Sequence, residues 1–437
     1  MSKKIDETVV LLIPAEDYSK HRLSKYICPY LGAGYPFNLY YYEPLKKLFS
    51  KVIVYDYVKQ MTTMGVKDVN DELINLVRKE QPKYVIWITL LYEFLESTSD
   101  AIRKEGFKVV GVFFDDEWRF EEYSKWWVPH LDYCVTNDIE ALPKYRELAA
   151  RVIHTIPCNV APINCDWSNK EEKYDVSFVG HRKHDREKYV NKIKKRNILI
   201  HLFGPGWEDM GGRYVSFEEM MDIFGASKIN LNFSMTKYNK LGWKGRIFQV
   251  CGAGGFLLTE YTPGIENYFN IDKEIVCFHN AEEMIDKIKY YLAHETERRA
   301  IAQAGWKRVI SEYTPVHMMH RIFSEIEKDI VAKDKEGNLY PPQLEMPMKM
   351  RKRFSNYYLD WAVALSLGNY KDLWKDALEL SISYNPSNIW ARFYCIIVFF
   401  PSFIRYAFFR LYKGLFALSS LAMEHFMVIK NLVKRYI

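Results

Sequence analysis

Short apolar runs alternate with amphipathic stretches through the first three quarters of the chain. The first run, residues 8–14 (TVVLLIP), ends in a proline and polar residues, as a buried parallel strand often does. Comparable runs follow at residues 52–56, 83–89, 108–114, 132–137 and 151–156. Helical patterns such as DELINLVRKE lie between them. This alternation predicts a parallel sheet with helices on both faces.

A second alternating set begins after a segment without periodicity. Residues 157–168 (PCNVAPINCDWS) contain two prolines and two asparagines, which predicts a linker. Strand-like runs then recur at residues 174–180, 198–204, 227–234, 254–259 and 274–278. The pattern predicts an α/β fold of two facing Rossmann-like domains, residues 1–160 and 161–334. Their carboxyl strand ends would line one cleft, where ligands bind in open α/β sheets.

The remainder of the chain predicts an all-helical C-terminal extension over residues 353–437, after a polar second linker at 335–352. Residues 361–388 are similar to one tetratricopeptide-type hairpin, with small and aromatic residues at suitable positions. A plain helical hairpin packed on the core is an equal alternative, because one such repeat cannot form a solenoid alone.

The end of the extension is basic and aromatic. Residues 380–437 contain seven cations and one acidic residue, Glu424, so they hold the chain's whole net charge of +6. The neutral remainder disfavours a nucleic-acid-binding surface. The uncharged run at residues 393–404 is too short to span a bilayer, and Pro401 interrupts it. An anionic membrane surface is therefore a candidate partner of residues 390–437, and a helical cap on the core is the alternative.

Composition narrows the class of protein further. A chain of 437 residues with 49% hydrophobic residues is globular and large enough for more than one domain. Its seven cysteines form no CxxC pair and no metal-ligand spacing, which favours a reducing cytoplasm. The apolar run near the N-terminus is too short for a signal peptide. We therefore expect a cytoplasmic protein, with a peripheral position on the inner face of the membrane as an option.

Residues 244–260 (KGRIFQVCGAGGFLLTE) are the main candidate for a ligand site. Lys244 and Arg246 stand near a predicted helix N-terminus, which favours an anion such as a diphosphate. Gly254 and Gly255 follow the helix and could let backbone approach a ligand closely. An ordinary αβ unit with solvated cations and a tight turn explains the same residues equally well.

Several segments, in this order and spacing, resemble CgeB-like, spore-maturation-type glycosyltransferases, which have the GT-B architecture. The resemblance is carried by FFDDEWRFEEYSKWW, FVGHRKHDRE, SKINLNFS, KGRIFQVCGAGGFLLTEYTPGIENYF, KEIVCFHNAEEMIDKIKYYL and RRAIAQAGWKRVISEYT, within residues 110–325. It implies transfer of a sugar from a nucleotide diphosphate donor to a glycan, lipid-linked or protein acceptor. It also implies that residues 314–332 (TPVHMMHRIFSEIEKDIVA) form a helix that crosses back to the first domain.

The resemblance suggests donor-binding residues after a predicted strand end at Gly180. Arg186 stands where many nucleotide-sugar GT-B enzymes carry a phosphate-binding lysine, and Arg182 is a candidate helper. A charged surface loop is the alternative for these cations. Gln249 occupies the position of a ribose-binding glutamate, and an amide keeps only one of the carboxylate's two acceptor oxygens. This departure favours the rival hypothesis, a weak or inactive nucleotide-sugar-binding protein that recruits partners or membrane.

Acidic residues follow the predicted strand that ends at Phe114. Asp116, with Asp115 beside it, is the candidate general base, and a helix cap is the alternative role. No metal and no cofactor is predicted, because sites of this type stabilise the leaving diphosphate with cations and a helix dipole. Gly32 and Gly34 could offer backbone N–H groups to the donor across the cleft, although a flexible turn explains them as well.

Overall fold

The computed structural model describes residues 4–16, 18, 36–155, 171–235, 241, 244–333, 344–368, 370, 372–398 and 411. The predicted loop with Gly32 and Gly34, the predicted linker at 157–168 and most of the basic tail lie outside these residues.

The first domain is built on a six-stranded parallel sheet with the order β2-β1-β3-β4-β5-β6. The four central strands are largely buried on both faces, which explains their continuous apolar sequences, whereas the edge strands β2 and β6 are partly exposed. Their bounds are β1 Ile5–Ile13, β2 Phe49–Asp56, β3 Tyr84–Ile88, β4 Lys108–Phe113, β5 Tyr133–Thr136 and β6 Val152–His154. The helices are α1 Glu43–Leu48, α2 Tyr57–Met64, α3 Asp68–Glu80, α4 Glu96–Lys104, α5 Asp116–Arg119, α6 Lys125–Trp127 and α7 Leu142–Glu147. A π-helical turn, Phe120–Ser124, joins α5 to α6.

The second domain contains a five-stranded parallel sheet with the order β11-β10-β9-β7-β8. Its strands are β7 Tyr174–Val179, β8 Ile200–Phe203, β9 Ser227–Asn232, β10 Leu257–Glu260 and β11 Val276–Phe278. Its helices are α8 His184–Lys195, α9 Phe217–Gly225, α10 Arg246–Gly252, α11 Ala281–Ala293 and α12 Glu295–Glu312. Polar side chains cap two of them: Ser216 accepts a backbone N–H at the start of α9, and Asn280 accepts two at the start of α11.

Helix α13, Pro315–Lys333, follows the second domain but packs on the first. The Phe323 ring lies against Phe49 and Tyr84, with centroid distances of 4.9 and 5.1 Å. The Tyr84 hydroxyl donates a hydrogen bond to Glu327. The helix therefore fixes the two domains to each other and holds their carboxyl strand ends around one cleft.

The helical extension consists of α14 Met348–Leu367, α15 Trp374–Tyr384 and α16 Ile389–Ile397. The second linker was predicted too long, because residues 348–352 already belong to α14 behind the extended Pro347. Helix α14 packs on the first domain, where Phe354 stacks 4.4 Å from Tyr92. In the part of the chain that the structure describes, no helix is long and apolar enough to cross a bilayer.

The predicted fold class is confirmed. The chain forms two Rossmann-like domains with a helical C-terminal extension, the arrangement that the GT-B resemblance implied.

Candidate active site

The carboxyl ends of the two sheets carry opposite charges. In the first domain, β4 ends at Phe113 and is followed by Asp115 and Glu117. Lys244, which precedes α10 in the second domain, places its Nζ 4.0 Å from Glu117 Oε1. This ion pair joins the two domains and locates the cleft between their carboxyl strand ends.

Gly180, directly after β7, makes room for a cation. A Cβ at this position would lie 2.5 Å from a guanidinium nitrogen of Arg246, so a larger residue would displace that side chain. The Gly180 carbonyl accepts a hydrogen bond of 2.7 Å from the Trp207 indole N–H, which holds the strand end in place. The predicted site residue Gly180 therefore positions Arg246.

Arg186, in the first turn of α8, is buried with only 5% of its surface exposed. Its Nη1 donates to the His181 carbonyl at 2.9 Å, and its guanidinium lies 5.6 Å from the centre of the Phe178 ring. Its Nε is buried and has no hydrogen-bond partner among the residues that the structure describes. Burial lowers the pKa of Arg186, because the charged form loses its hydration.

Arg246, at the start of α10, packs on the same Phe178 ring at 5.1 Å and donates a 2.8 Å hydrogen bond to Asn232. Burial, and secondarily the nearby Arg186, lower the pKa of Arg246. Among the described residues, neither arginine forms an ion pair with a carboxylate. Two desolvated arginines that repel each other are unfavourable unless an anion joins them, so this cluster is a candidate anion site.

Two lysines extend this positive surface toward the first domain. Burial lowers the pKa of Lys183 and of Lys244, and Arg186 adds to the effect on both. The negative charge of Asp115 acts in the opposite direction on the pKa of both lysines. The cleft therefore has a cationic face on the second domain and an acidic face on the first.

Glu117 is the acidic residue that faces the lysines, and its side chain is 14% exposed. Burial raises the pKa of Glu117 to about 7, with a further rise from Asp115 and Asp138 and an opposing effect of Lys244. A carboxyl group with this pKa can accept a proton at neutral pH, as a general base must. Asp115 adopts a left-handed conformation with φ 57°, which is costly for a residue with a Cβ.

Asp116, the predicted general base, is fully buried under the strand ends. Its carboxylate accepts hydrogen bonds from Ser124 at 2.5 Å, Thr136 at 2.6 Å and Tyr145 at 2.9 Å. These donors link α5 to β5 and α7, which is the geometry of a structural carboxylate. The structure therefore moves the candidate base one residue along the chain, to Glu117, and leaves Asp115 at the edge of the site.

We expect Asp116→Asn to destabilise the fold by about 1–3 kcal/mol, because an amide can accept fewer of the three hydrogen bonds. Unfolding in urea measures the change in the free energy of unfolding. Asp138→Asn, near the same strand ends, is the control for this measurement. Turnover per folded molecule should stay close to that of the wild type. Unchanged stability together with lost turnover would return the base role to Asp116.

Other predicted donor-binding residues serve the second domain itself. Arg182 is held by Glu187 at 2.7 Å and by Asp209 at 2.6 Å, so its guanidinium is occupied within its own domain. Gly254 and Gly255 lie at the amino end of β10, away from the carboxyl edge where the cleft is. A Cβ on Gly255 would lie 2.5 Å from the Phe224 carbonyl oxygen, so this close approach is to the protein's own backbone.

Gln249, the predicted ribose-binding residue, lies at the contact between the domains. Its amide donates to the Tyr40 hydroxyl across the cleft at 3.3 Å. The Tyr40 ring is buried and meets Phe217 of the second domain edge-on at 5.7 Å. Gln249 therefore stands beside the arginine cluster on α10 and contacts both domains.

The sequence comparison matches the part of the chain that carries this cationic face. Residues 182–324 match the family model described as "Glycosyl transferase-like". This range includes Arg186, Lys244 and Arg246, and excludes the acidic face of the first domain. No curated protein matches the chain.

Solved structures with a similar arrangement have low sequence identity. HepE from Anabaena in complex with UDP-glucose aligns with 74% of this chain and 100% of its own, at 10% identity and TM-score 0.48. A glycosyltransferase from Rickettsia africae aligns with 76% of this chain and 100% of its own, at 13% identity and TM-score 0.45. A third structure is a TarM variant from S. aureus in complex with fondaparinux, alpha-GlcNAc-glycerol and UDP. It aligns with 59% of this chain and 58% of its own, at 11% identity and TM-score 0.42. Similarities this low carry no argument about the chemistry of this chain.

Proposed function

We propose that the protein is a metal-independent glycosyltransferase that moves a sugar from a nucleotide diphosphate donor to a glycan, lipid-linked or protein acceptor. The observation that carries the proposal is a pair of desolvated arginines, Arg186 and Arg246, that pack on the Phe178 ring and form no ion pair with a carboxylate among the described residues. Lys244, two residues before Arg246, reaches toward the Glu117 carboxyl group of the other domain. The family match to the domain with the arginines supports the same reading.

In this proposal the second domain holds the donor. Arg186 and Arg246 bind the diphosphate through charge-assisted hydrogen bonds, and Lys183 and Lys244 add charge at the mouth of the site. The same cations stabilise the negative charge that grows on the leaving group as the sugar–phosphate bond breaks. Fixed side-chain charges thus perform the work that a divalent metal performs in other transferases.

The first domain supplies the base. Glu117 takes the proton of the acceptor hydroxyl, whose oxygen attacks the anomeric carbon of the sugar. The bond from that carbon to the diphosphate breaks, and the nucleoside diphosphate leaves with the bonding electrons. Direct displacement of this kind inverts the anomeric configuration. Burial, and secondarily charge repulsion from the neighbouring Asp115, raise the pKa of Glu117 and so keep its proton affinity high.

A second candidate function is a nucleotide-sugar-binding protein with little or no turnover. It is favoured by Gln249, whose amide contacts Tyr40 and offers one acceptor where the similar families have two. Both functions require donor binding, and only the enzyme consumes the donor.

Donor binding is tested by thermal unfolding in the presence of nucleotide sugars with different bases and sugars. A ligand at 100 times its dissociation constant adds about 2.7 kcal/mol to the free energy of unfolding. We expect one class of nucleotide sugar to raise the melting temperature of the wild type and to raise that of Arg186→Met much less, because a 10- to 100-fold weaker affinity leaves only about 0.4–1.4 kcal/mol of this stabilisation. If no nucleotide sugar and no nucleoside diphosphate raises it, the proposed donor site is wrong.

We also propose that the protein acts at the cytoplasmic face of an anionic membrane, through residues 390–437. The net charge of +6 in the tail supports this location, since cations near such a surface contribute about 1 kcal/mol each. Ile389 and Ile396, one face of α16, are 71% and 60% exposed and could add apolar contact with lipid.

We expect the full chain to sediment with anionic vesicles and not with neutral vesicles. Added salt should release part of the bound protein. A chain that ends at Val398 is the control, because α16 contributes Ala391 and Tyr394 to the core and must be kept. It should stay soluble and lose vesicle binding. Equal binding to neutral vesicles, or equal binding by the truncated chain, would contradict the proposed location.

A further inference from the structure

Lys244 stands between the two functional faces of the cleft. Its Nζ lies 4.0 Å from Glu117 Oε1, which is within reach of an ion pair and too long for a hydrogen bond. Among the described residues its Nζ donates no hydrogen bond. Both side chains are shielded, with 23% and 14% exposure, so water screens their attraction only in part. Lys244 therefore holds its position by charge, without a fixed bond.

The charges around Lys244 act from both sides. On the first domain, Glu117 and Asp115 attract it. On the second domain, Lys183 and Arg186 repel it, with Arg246 fixed behind them on Phe178. An anion held by the two arginines would reverse this balance, because it would cancel the repulsion and attract the ammonium group.

The charges around Glu117 make it sensitive to that movement. Asp115 and Asp138 disfavour its ionised form, and Lys244 favours it. Among the groups that act on Glu117, Lys244 is the cation that can change partner. A lysine has a flexible stem and three donors, which suits such an exchange.

We propose that Lys244 exchanges between the Glu117 carboxylate and the diphosphate of a bound donor, so that donor binding makes the Glu117 carboxylate more basic. The inference rests on the proposed donor site and base. It gives the reaction an order, because the base reaches its full proton affinity only after the donor has bound. Lys244 is then a positioning residue for the proton transfer as well as a ligand of the donor.

The exchange predicts that donor-site anions bind together with a proton. Because the Glu117 pKa is about 7 in the free protein, a tenfold gain in its proton affinity takes up about half a proton near pH 7.5. Titration calorimetry with inorganic pyrophosphate, in HEPES and in Tris, measures the number of protons bound, because the two buffers have different ionisation enthalpies. Pyrophosphate itself exchanges protons, so the result is the difference between the wild type and Glu117→Gln.

We expect the wild type to take up about half a proton more than Glu117→Gln. Lys244→Met should bind pyrophosphate more weakly. The difference in proton uptake between Lys244→Met and the double variant Lys244→Met/Glu117→Gln should be much smaller than the difference between the wild type and Glu117→Gln. Lys183→Met is the matched control, since it removes a neighbouring lysine that lacks the Glu117 contact, and it should weaken binding while keeping the difference.

Two results would overturn the exchange. Equal proton uptake by the wild type and Glu117→Gln would show that Glu117 does not respond to the anion. An unchanged difference in the Lys244→Met background would show that Lys244 does not transmit the response. Failure of the proposed function is a separate result, because pyrophosphate would then bind to neither the wild type nor the variants, and this exchange would fall with it.

Discussion

Glu117→Gln should lower turnover at least about 100-fold, the low end of general-base contributions, while nucleotide-sugar binding survives. The amide has nearly the shape of the carboxyl group but cannot take the acceptor proton. For the wild type, kcat/KM should rise with pH and level off above about 7, where Glu117 is ionised. The rise of kcat/KM with pH should be absent in the variant. Steady-state kinetics from pH 5.5 to 8.5, at a fixed ionic strength, measures both.

The stability of the same variant supplies the control. The fold raises the Glu117 pKa from its ordinary value to about 7, so the folded chain binds this proton more tightly than the unfolded chain. The stabilisation from the neutral carboxyl is complete below the ordinary pKa and is lost as pH rises through about 7. Glu117→Gln should therefore match the wild type at pH 4.5 and be more stable at pH 8, by at most about 3 kcal/mol. Normal turnover in a variant with this stability profile would remove Glu117 from the chemistry.

Arg186→Met and Arg246→Met should each weaken binding of nucleoside diphosphate by about 10- to 100-fold. Each removes a charge-assisted hydrogen-bond donor, which is worth about 1.5–3 kcal/mol, and keeps most of the apolar stem. The melting temperature of the free protein should stay the same or rise, because one of two repelling, desolvated charges is gone. Calorimetric titration and thermal unfolding measure the two effects.

Arg298→Met is the control for these variants, because it should change stability and leave binding unchanged. Arg298 is buried in the second domain and pairs with Glu172 at 2.6 Å, so its loss leaves this buried carboxylate only the longer contact with Arg299 at 3.8 Å. It should lower stability by about 3–5 kcal/mol and leave diphosphate affinity unchanged. If Arg186→Met and Arg246→Met behaved like Arg298→Met, the two arginines would be structural.

The sequence predicted the two sheets well, because buried parallel strands have apolar runs that are easy to recognise. It also pointed to Arg186, through the resemblance to a phosphate-binding lysine position, and to Arg246, from its place near a predicted helix N-terminus; their part in donor binding stays a prediction. That both pack on the Phe178 ring depends on how the starts of α8 and α10 lie beside β7, and is visible only in the fold.

The acidic face was predicted only in part. Three acidic residues follow β4, and the pattern of residues does not say which of them faces the cleft. The left-handed turn at Asp115 sets the direction of α5, which buries Asp116 on Thr136 and turns Glu117 toward Lys244. The prediction that Gly254 and Gly255 approach the ligand has a related difficulty, because a glycine pair suits a ligand site or a tight turn equally well. Here the turn lies at the amino end of β10, packed on the Phe224 carbonyl.

The central claim is that one cleft binds a sugar donor on its cationic face and activates an acceptor on its acidic face. The most direct measurement is release of nucleoside diphosphate from the nucleotide sugar that stabilises the protein, followed for the wild type, Glu117→Gln and Arg186→Met at saturating donor. We predict release by the wild type, slow release with donor affinity equal to or tighter than that of the wild type in Glu117→Gln, and weakened affinity in Arg186→Met. Equal release by all three proteins, or donor binding by the wild type with no release in the presence of any glycan, lipid-linked or protein acceptor, would contradict the account.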